Sequence, residues 1–252
     1  MKNLSSNIDV FVNLYQARVE SISTIKSSNP DVFVFDDIFK KVLYVTLLDS
    51  LSKTVFPNRN NRDRIVSLLQ SFCDWKEADK ISLPHLLRLL EKAPDPAFEE
   101  LRTFAFSQID LWERGKIISL EQDPTAESVK THWPVEKEHR LPIEGVSMDS
   151  LKHAHLFYTY RNSLVHEFRH PGIPFEIRKD GLPYYIGRLP DSTEHPELES
   201  MMFSEWELNY PLGFFKDLCL NALRTLGDYY TRNRIDPMSF FDYGSYWLTE
   251  LN

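Results

Sequence analysis

Prolines in this chain fall between, or at the first turn of, stretches whose apolar residues recur every three or four positions. That placement restricts the fold more than any other feature. Proline has no backbone N–H and clashes with the turn before it, so helix interiors exclude it. With 15 prolines and 8 glycines in 252 residues, the breaks are stiff, and long uninterrupted runs are left to form helices. A first helix is predicted over 6–27, from Ile8, Phe11, Val12, Tyr15 and Val19, and Asn29-Pro30 breaks it. A second covers about 36–54, with Ile38, Val42, Val45, Leu48 and Leu51 inward and Asp36-Asp37 favoured at its positive end. The turn Phe56-Pro57-Asn58-Arg59-Asn60-Asn61 leads into a third over 61–73.

Two further starts carry helix-entry signals. Ser82-Leu-Pro84 reads as an N-cap with proline in the first turn, opening a helix to about Lys92. Asp95-Pro96 opens a longer one, to about Arg114, stopped by Gly115. Residues 121–147, with Pro124, Pro134 and Pro142, read as a long exposed loop. A helix over about 148–168, capped by Ser147 or Asp149, ends at Pro171-Gly172.

The period then shortens. Phe175-Glu-Ile177-Arg and Tyr184-Tyr-Ile186-Gly-Arg flank Lys179-Asp180-Gly181 and predict a β-hairpin, with Glu205–Tyr210 as a third strand. The acidic stretch 189–200 lies between. Pro211 opens a last helix over about 211–233, and the aromatic tail (Phe240, Phe241, Tyr243, Tyr246, Trp247, Leu248) is too apolar to remain free. The pattern predicts a mainly α fold, with a small antiparallel β-meander inserted before the last long helix. We read it as one domain over 1–252, divided into N-terminal helices (1–120), the loop (121–147), and the remaining helices and meander (148–252).

No apolar run approaches the ~20 residues of a membrane span, and the first residues lack an apolar signal core. Cys73 and Cys219 lie in apolar helical stretches and read as buried thiols; a cytoplasmic setting is expected. The net charge of −8 argues against a broad, non-specific nucleic-acid binder. Basic residues nevertheless gather at Arg161, Arg169, His170, Arg178, Lys179 and Arg188, and at Arg59, Arg62 and Arg64. No Gly-rich phosphate loop, Gly-x-Ser-x-Gly or His-Glu-x-x-His is present, which removes the common NTPase, α/β-hydrolase and zinc-protease readings. His153 and His155 are two apart on a helix and point in different directions, so no metal site is expected, and no cofactor.

The chemistry concentrates in Tyr158-Thr-Tyr-Arg161-Asn162-Ser-Leu-Val-His166-Glu-Phe168. Tyr158, Asn162 and His166 are successive i, i+4 neighbours on one helical face, with Arg161, Val165 and Arg169 in the adjacent row. Leu156, Tyr160 and Leu164, with Phe157, form the core stripe. A histidine moves protons near neutral pH, and an arginine beside it holds a phosphate charge. Those two functions suffice for cleaving RNA through its own 2′-OH. Chance alone also produces an Arg and a His at this spacing, and the bland alternative is a solvated or interfacial pair.

This arrangement, an Arg, a polar residue and a His five positions on, late in a helix, resembles the HEPN superfamily. Leu47-Leu48-Asp49-Ser50-Leu51 and the Pro-Asn-Arg turn after it are similar to the second-helix segment of large bacterial members, which makes Asp49 a candidate acidic residue near the motif. The resemblance implies an all-α HEPN-like bundle that dimerises through its motif helices and brings two Arg/His pairs into one cleft. It also implies metal-independent endoribonuclease activity, as in toxin–antitoxin and anti-phage defence proteins, with an antitoxin or other regulatory protein as partner. On it, Arg161 holds the scissile phosphate, His166 is general acid or base, and Asn162 orients the imidazole or contacts phosphate. Tyr158, Arg169 and Asp49 would contact substrate, Tyr158 by stacking on a base; the alternative for Tyr158 is a half-buried aromatic at a helix interface. Toxins of this kind often carry a modifiable tyrosine two residues after the histidine, where this chain has Phe168. Many members are non-catalytic, so the alternative expectation is a HEPN-like binding or regulatory module.

Overall fold

The structure is a computed structural model that describes residues 4–27, 34–113, 115–136, 139–171, 181–187 and 206–241. Among these, eight α-helices occur in chain order: α1 (Leu4–Ser23), α2 (Val34–Val55), α3 (Asn61–Phe72), α4 (Leu83–Lys92), α5 (Glu99–Ile109), α6 (Ala126–Lys130), α7 (His153–Glu167) and α8 (Leu212–Asn233). The strands are β1 (Ile117–Ser119), β2 (Val135–Glu136), β3 (His139–Arg140), β4 (Tyr184–Gly187) and β5 (Trp206–Asn209). The fold is therefore mainly helical, and its three-stranded antiparallel sheet, ordered β1-β4-β5, is complete in the chain before α8 begins. No helix among the described residues is long and apolar enough to cross a membrane.

Contacts divide the chain into two compact units. The first takes Met1–Trp75, Leu164–Arg169 and Phe215–Asn252. Its core follows from helical periodicity: α1 buries Ile8, Phe11, Tyr15, Val19 and Ile22, and α3 buries Ile65, Val66, Leu68 and Leu69. Tyr44, Val45, Leu48 and Leu51 of α2 and Leu218, Cys219, Leu223, Leu226 and Tyr230 of α8 are all buried, and the Cys219 thiol lies 3.5 Å from the Tyr44 carbonyl. Each such side chain contributes roughly 1.5–3 kcal/mol when withdrawn from water. Two buried tyrosine hydroxyls are matched: that of Tyr15 lies 2.6 Å from Ser50 Oγ, and that of Tyr230 bonds Thr54. Both cysteines are buried free thiols, and burial pushes both above their usual pKa.

The second unit takes Lys76–Ser163 and His170–Phe214. Helix α4 presents Leu83, Leu86, Leu87, Leu89 and Leu90 inward, and α5 adds Leu101 and Ala105. In the sheet, Tyr185 pairs with Ile118 on one side and Leu208 on the other. Trp112 packs against both Tyr185 and Trp206, at ring distances of 5.1 and 5.2 Å. A Cβ at Gly187 would come within 3.3 Å of the Trp206 ring, so the small residue makes room for that indole.

Several boundaries differ from the sequence reading. The stretch 121–147 is not an uninterrupted exposed loop: it holds α6 and the β2/β3 hairpin, and buries Val129, Trp133 and Ile143. Trp133 is fastened by its Nε1–H donating to the Leu141 carbonyl at 2.8 Å. The helix predicted from Asp95 to Arg114 begins as a 3₁₀ turn, Pro96–Phe98, capped by Asp95, and its α part ends at Ile109, well before Gly115. Ser147 caps a separate 3₁₀ turn, Met148–Leu151, ahead of α7. Helix α7 then stops at Phe168, whose φ of +52° breaks the helical path before Pro171 is reached. Strand β1 carries no sequence signal, because three residues are too few to show a period. The proposed strand 175–178, the acidic stretch 189–200 and residues 243–248 lie outside the described residues, as do Arg178, Lys179 and Arg188. Phe241, at the start of the tail, packs its ring 6.1 Å from that of Phe11.

Candidate functional site

Helix α7 carries the candidate motif over its last two turns. Its inner stripe is anchored by Phe157 and Leu164, both fully buried, and by Tyr160. Phe157 meets Tyr210 edge-on at 5.4 Å and Tyr160 meets Tyr210 at 5.0 Å, which sets the rotation of this part of the helix. Leu156, expected in the same stripe, is only half-buried. The Tyr160 hydroxyl lies 2.5 Å from His170 Nδ1, tying the segment after the helix back to it.

With that rotation set, the predicted polar face emerges in part. His166 is exposed on the last turn, while Asn162 and Tyr158, one and two turns earlier, are half-buried. Arg161 departs from the surface row in which the sequence places it: the residue is only 7% exposed. Its Nη1–H donates to Asn162 Oδ1 at 3.1 Å, so Asn162 orients the guanidinium rather than the imidazole. Arg161 lies about 100° from Tyr160 and only one step from the buried stripe, which accounts for its withdrawal. Five helical residues separate Arg161 and His166 by roughly 7.5 Å along the axis.

The remaining candidates are engaged elsewhere. Arg169 is exposed and its Nε pairs with the Glu167 carboxylate at 2.5 Å, which offsets one positive charge beside His166. Asp49 accepts from Arg64 Nη2 at 2.8 Å in a half-buried ion pair linking α2 and α3. Phe168 is 57% exposed and holds its backbone in the left-handed region two residues beyond His166. Its ring sits 6.3 Å from that of Phe39, itself 49% exposed. A bulky residue at positive φ is uncommon and carries local strain.

Two other clusters appear that the sequence did not single out. An open groove of about 450 Å³ runs along α5, lined by Glu99, Glu100, Thr103, Phe104, Ser107 and His132. His132 stacks on Phe104 at 4.5 Å and bonds Glu100 at 3.0 Å, while Glu99 pairs with Arg102. The other cluster is buried and joins Ser82, Asp123, His153 and Tyr185, residues 30 to 103 positions apart. Periodicity places each on an inward face but cannot pair them, and His153 drew notice only beside His155. Among the described residues, no three His, Cys, Asp or Glu side chains form a group able to hold a metal ion.

No protein-family model, curated protein or solved structure matches this chain.

Proposed function

We propose that the chain is a metal-independent endoribonuclease of HEPN type that works as a homodimer, with Arg161 and His166 of each protomer facing one RNA strand. The observation that carries this reading is the exposed imidazole of His166 on the last turn of α7, in line with Asn162 and Tyr158. Cleavage needs no external nucleophile. One imidazole takes the proton of the ribose 2′-OH as its oxygen attacks the adjacent phosphorus. The P–O5′ bond breaks, and the second protomer's imidazolium protonates the departing 5′-oxygen. The products are a 2′,3′-cyclic phosphate and a 5′-hydroxyl. Arg161, held in place by Asn162, stabilises the charge on the non-bridging oxygens, and Tyr158 stacks on a base. Toxin or anti-phage effector action, with an antitoxin or other protein restraining it, is the biological setting this chemistry fits.

A second reading has its own support. Arg161 is largely withdrawn from solvent, and a guanidinium in that position braces a helix as readily as it receives a phosphate. In that case the α7 face is a HEPN-like binding or regulatory surface without chemistry. Incubating the purified protein with mixed cellular RNA and EDTA, beside His166→Ala, separates the two. Cleavage by the wild type alone, leaving cyclic phosphate ends, supports the ribonuclease. Intact RNA with both proteins, together with altered self-association of His166→Ala, supports the binding module.

A further inference from the structure

In the second unit, three backbone segments lace together. The Ile81 N–H donates to the Pro124 carbonyl, the Ser82 N–H to Leu151, and the His153 N–H to Lys80, all at 3.0–3.1 Å. Beneath this lacing lies a line of side chains with short contacts. His85 Nδ1 is 2.7 Å from Ser82 Oγ, and Ser82 Oγ is 2.8 Å from the Tyr185 hydroxyl. That hydroxyl is 2.7 Å from Asp123 Oδ2, which is in turn 2.7 Å from His153 Nε2. Ser82 and His153 are wholly buried and Asp123 nearly so, whereas His85 reaches solvent. The line therefore starts at the surface and ends in the core.

Proton counting restricts the hydrogen-bond directions. Each hydroxyl has one hydrogen to give. An ionised Asp123 only accepts: from Tyr185 and His153 at Oδ2, and from the Leu83 N–H at Oδ1, 2.9 Å away. The Tyr185 hydroxyl is oriented as donor to both Ser82 and Asp123 but has a single hydrogen; given to Asp123, it leaves Tyr185 to receive that of Ser82. Ser82 in turn receives the Nδ1–H of a neutral His85. The reverse order, with Ser82 donating to His85 Nδ1 and Tyr185 to Ser82, leaves the 2.7 Å contact without a hydrogen unless Asp123 carries one.

We propose that His85, Ser82, Tyr185, Asp123 and His153 form a proton relay, through which the buried Asp123–His153 pair that pins the start of α7 exchanges charge with solvent. On acidification, His85 Nε2 takes a proton from water. Its Nδ1 proton passes to Ser82, the Ser82 proton to Tyr185, and the Tyr185 proton to Asp123. Three bonds reverse, one proton enters, His85 ends neutral in its other tautomer, and Asp123 ends uncharged. Asp123 then no longer gives a charged acceptor to His153 or to the first turn of α4. The latch is strongest at neutral pH and relaxes in acid.

The groups around the relay fit this role. From β4, Tyr185 is pushed well above its usual pKa by burial and by the Asp123 charge, so its hydroxyl always carries a proton to pass on. Tyr210, following β5, is raised for the same two reasons. On the outer side Lys152 pairs with Asp149 at 2.8 Å and lies 3.8 Å from Asp79, and Lys80 Nζ bonds the Glu121 carbonyl.

The test uses the full chain with ¹⁵N-labelled histidine, followed by NMR from about pH 8 to about pH 4. The relay requires His85 to carry its neutral-pH proton on Nδ1, and the His153 ring signals to move with the His85 transition. Ser82→Ala and Tyr185→Phe each remove one link, and in both the His153 response to that transition is lost. His85→Gln, altered only at the solvent end, gives the same loss without disturbing the core. A neutral-pH proton on Nε2 of His85 in the wild type overturns the proposal. So does a His153 response unchanged in the folded variants.

Discussion

His166 and Arg161 share one helix but differ in exposure, and their substitutions separate accordingly. His166→Ala removes an exposed side chain and should change unfolding free energy by no more than about 0.5 kcal/mol. Arg161→Ala takes a buried guanidinium from Asn162 and should cost about 1–3 kcal/mol. Urea denaturation of both variants measures the difference. His85 supplies a pH prediction. Burial first, then the neighbouring His153, lowers its pKa to about 4, with Asp123 opposing. The direction of that shift leaves the imidazole neutral at pH 7. Since an unfolded histidine titrates near ~6.5, the unfolded chain binds more protons than the folded one between about pH 6.5 and about pH 4. Stability is complete above that window and falls as pH drops through it. His85→Gln should flatten this part of a plot of urea midpoint against pH. The residue types of the motif were readable in the chain. Their exposures were not, because a rotation of one step about α7 decides whether a side chain meets Tyr210 or water.

Whole helices were more legible than the groups that cap them. The α1, α2, α3, α4 and α8 runs repeat every three or four residues for ten or more positions, long enough for the period to stand out. Asn60, which the sequence places only in a turn, caps α3: its Oδ1 accepts from the Asp63 N–H at 2.9 Å. Asn60→Ala should lower stability by roughly 1 kcal/mol, read from a thermal or urea midpoint. Ser82 shows the opposite case. It occupies the N-cap position of α4, as its sequence context predicts, yet its side chain makes no capping bond. Asp123, forty residues on, takes the Leu83 N–H instead. A local pattern names where a helix begins but cannot name a partner brought in from another segment.

For the whole molecule, the decisive quantity is charge. At −8, the chain as a whole repels a polyanion, so any RNA contact depends on a few local cations such as Arg161. Binding to single-stranded RNA should therefore weaken only gently with salt. Each neutralised phosphate contributes a slope of about −0.7 in log K against log salt, so a total near −1 to −2 is expected. Fluorescence anisotropy on an uncleavable oligonucleotide reads that slope. A steep value would mean a wide basic surface and would move the binding site away from α7. By itself the sequence determined the mainly helical class, the small sheet ahead of the last helix, and the buried thiols. These follow from periodicity and from proline placement, both local in the chain. Tertiary structure alone decided that Arg161 turns inward, that Asp49 answers Arg64, and that Asp123, His153, Tyr185 and Ser82 meet. Such pairings depend on segments up to 103 residues apart packing at ångström precision, and no spacing along the chain encodes that distance.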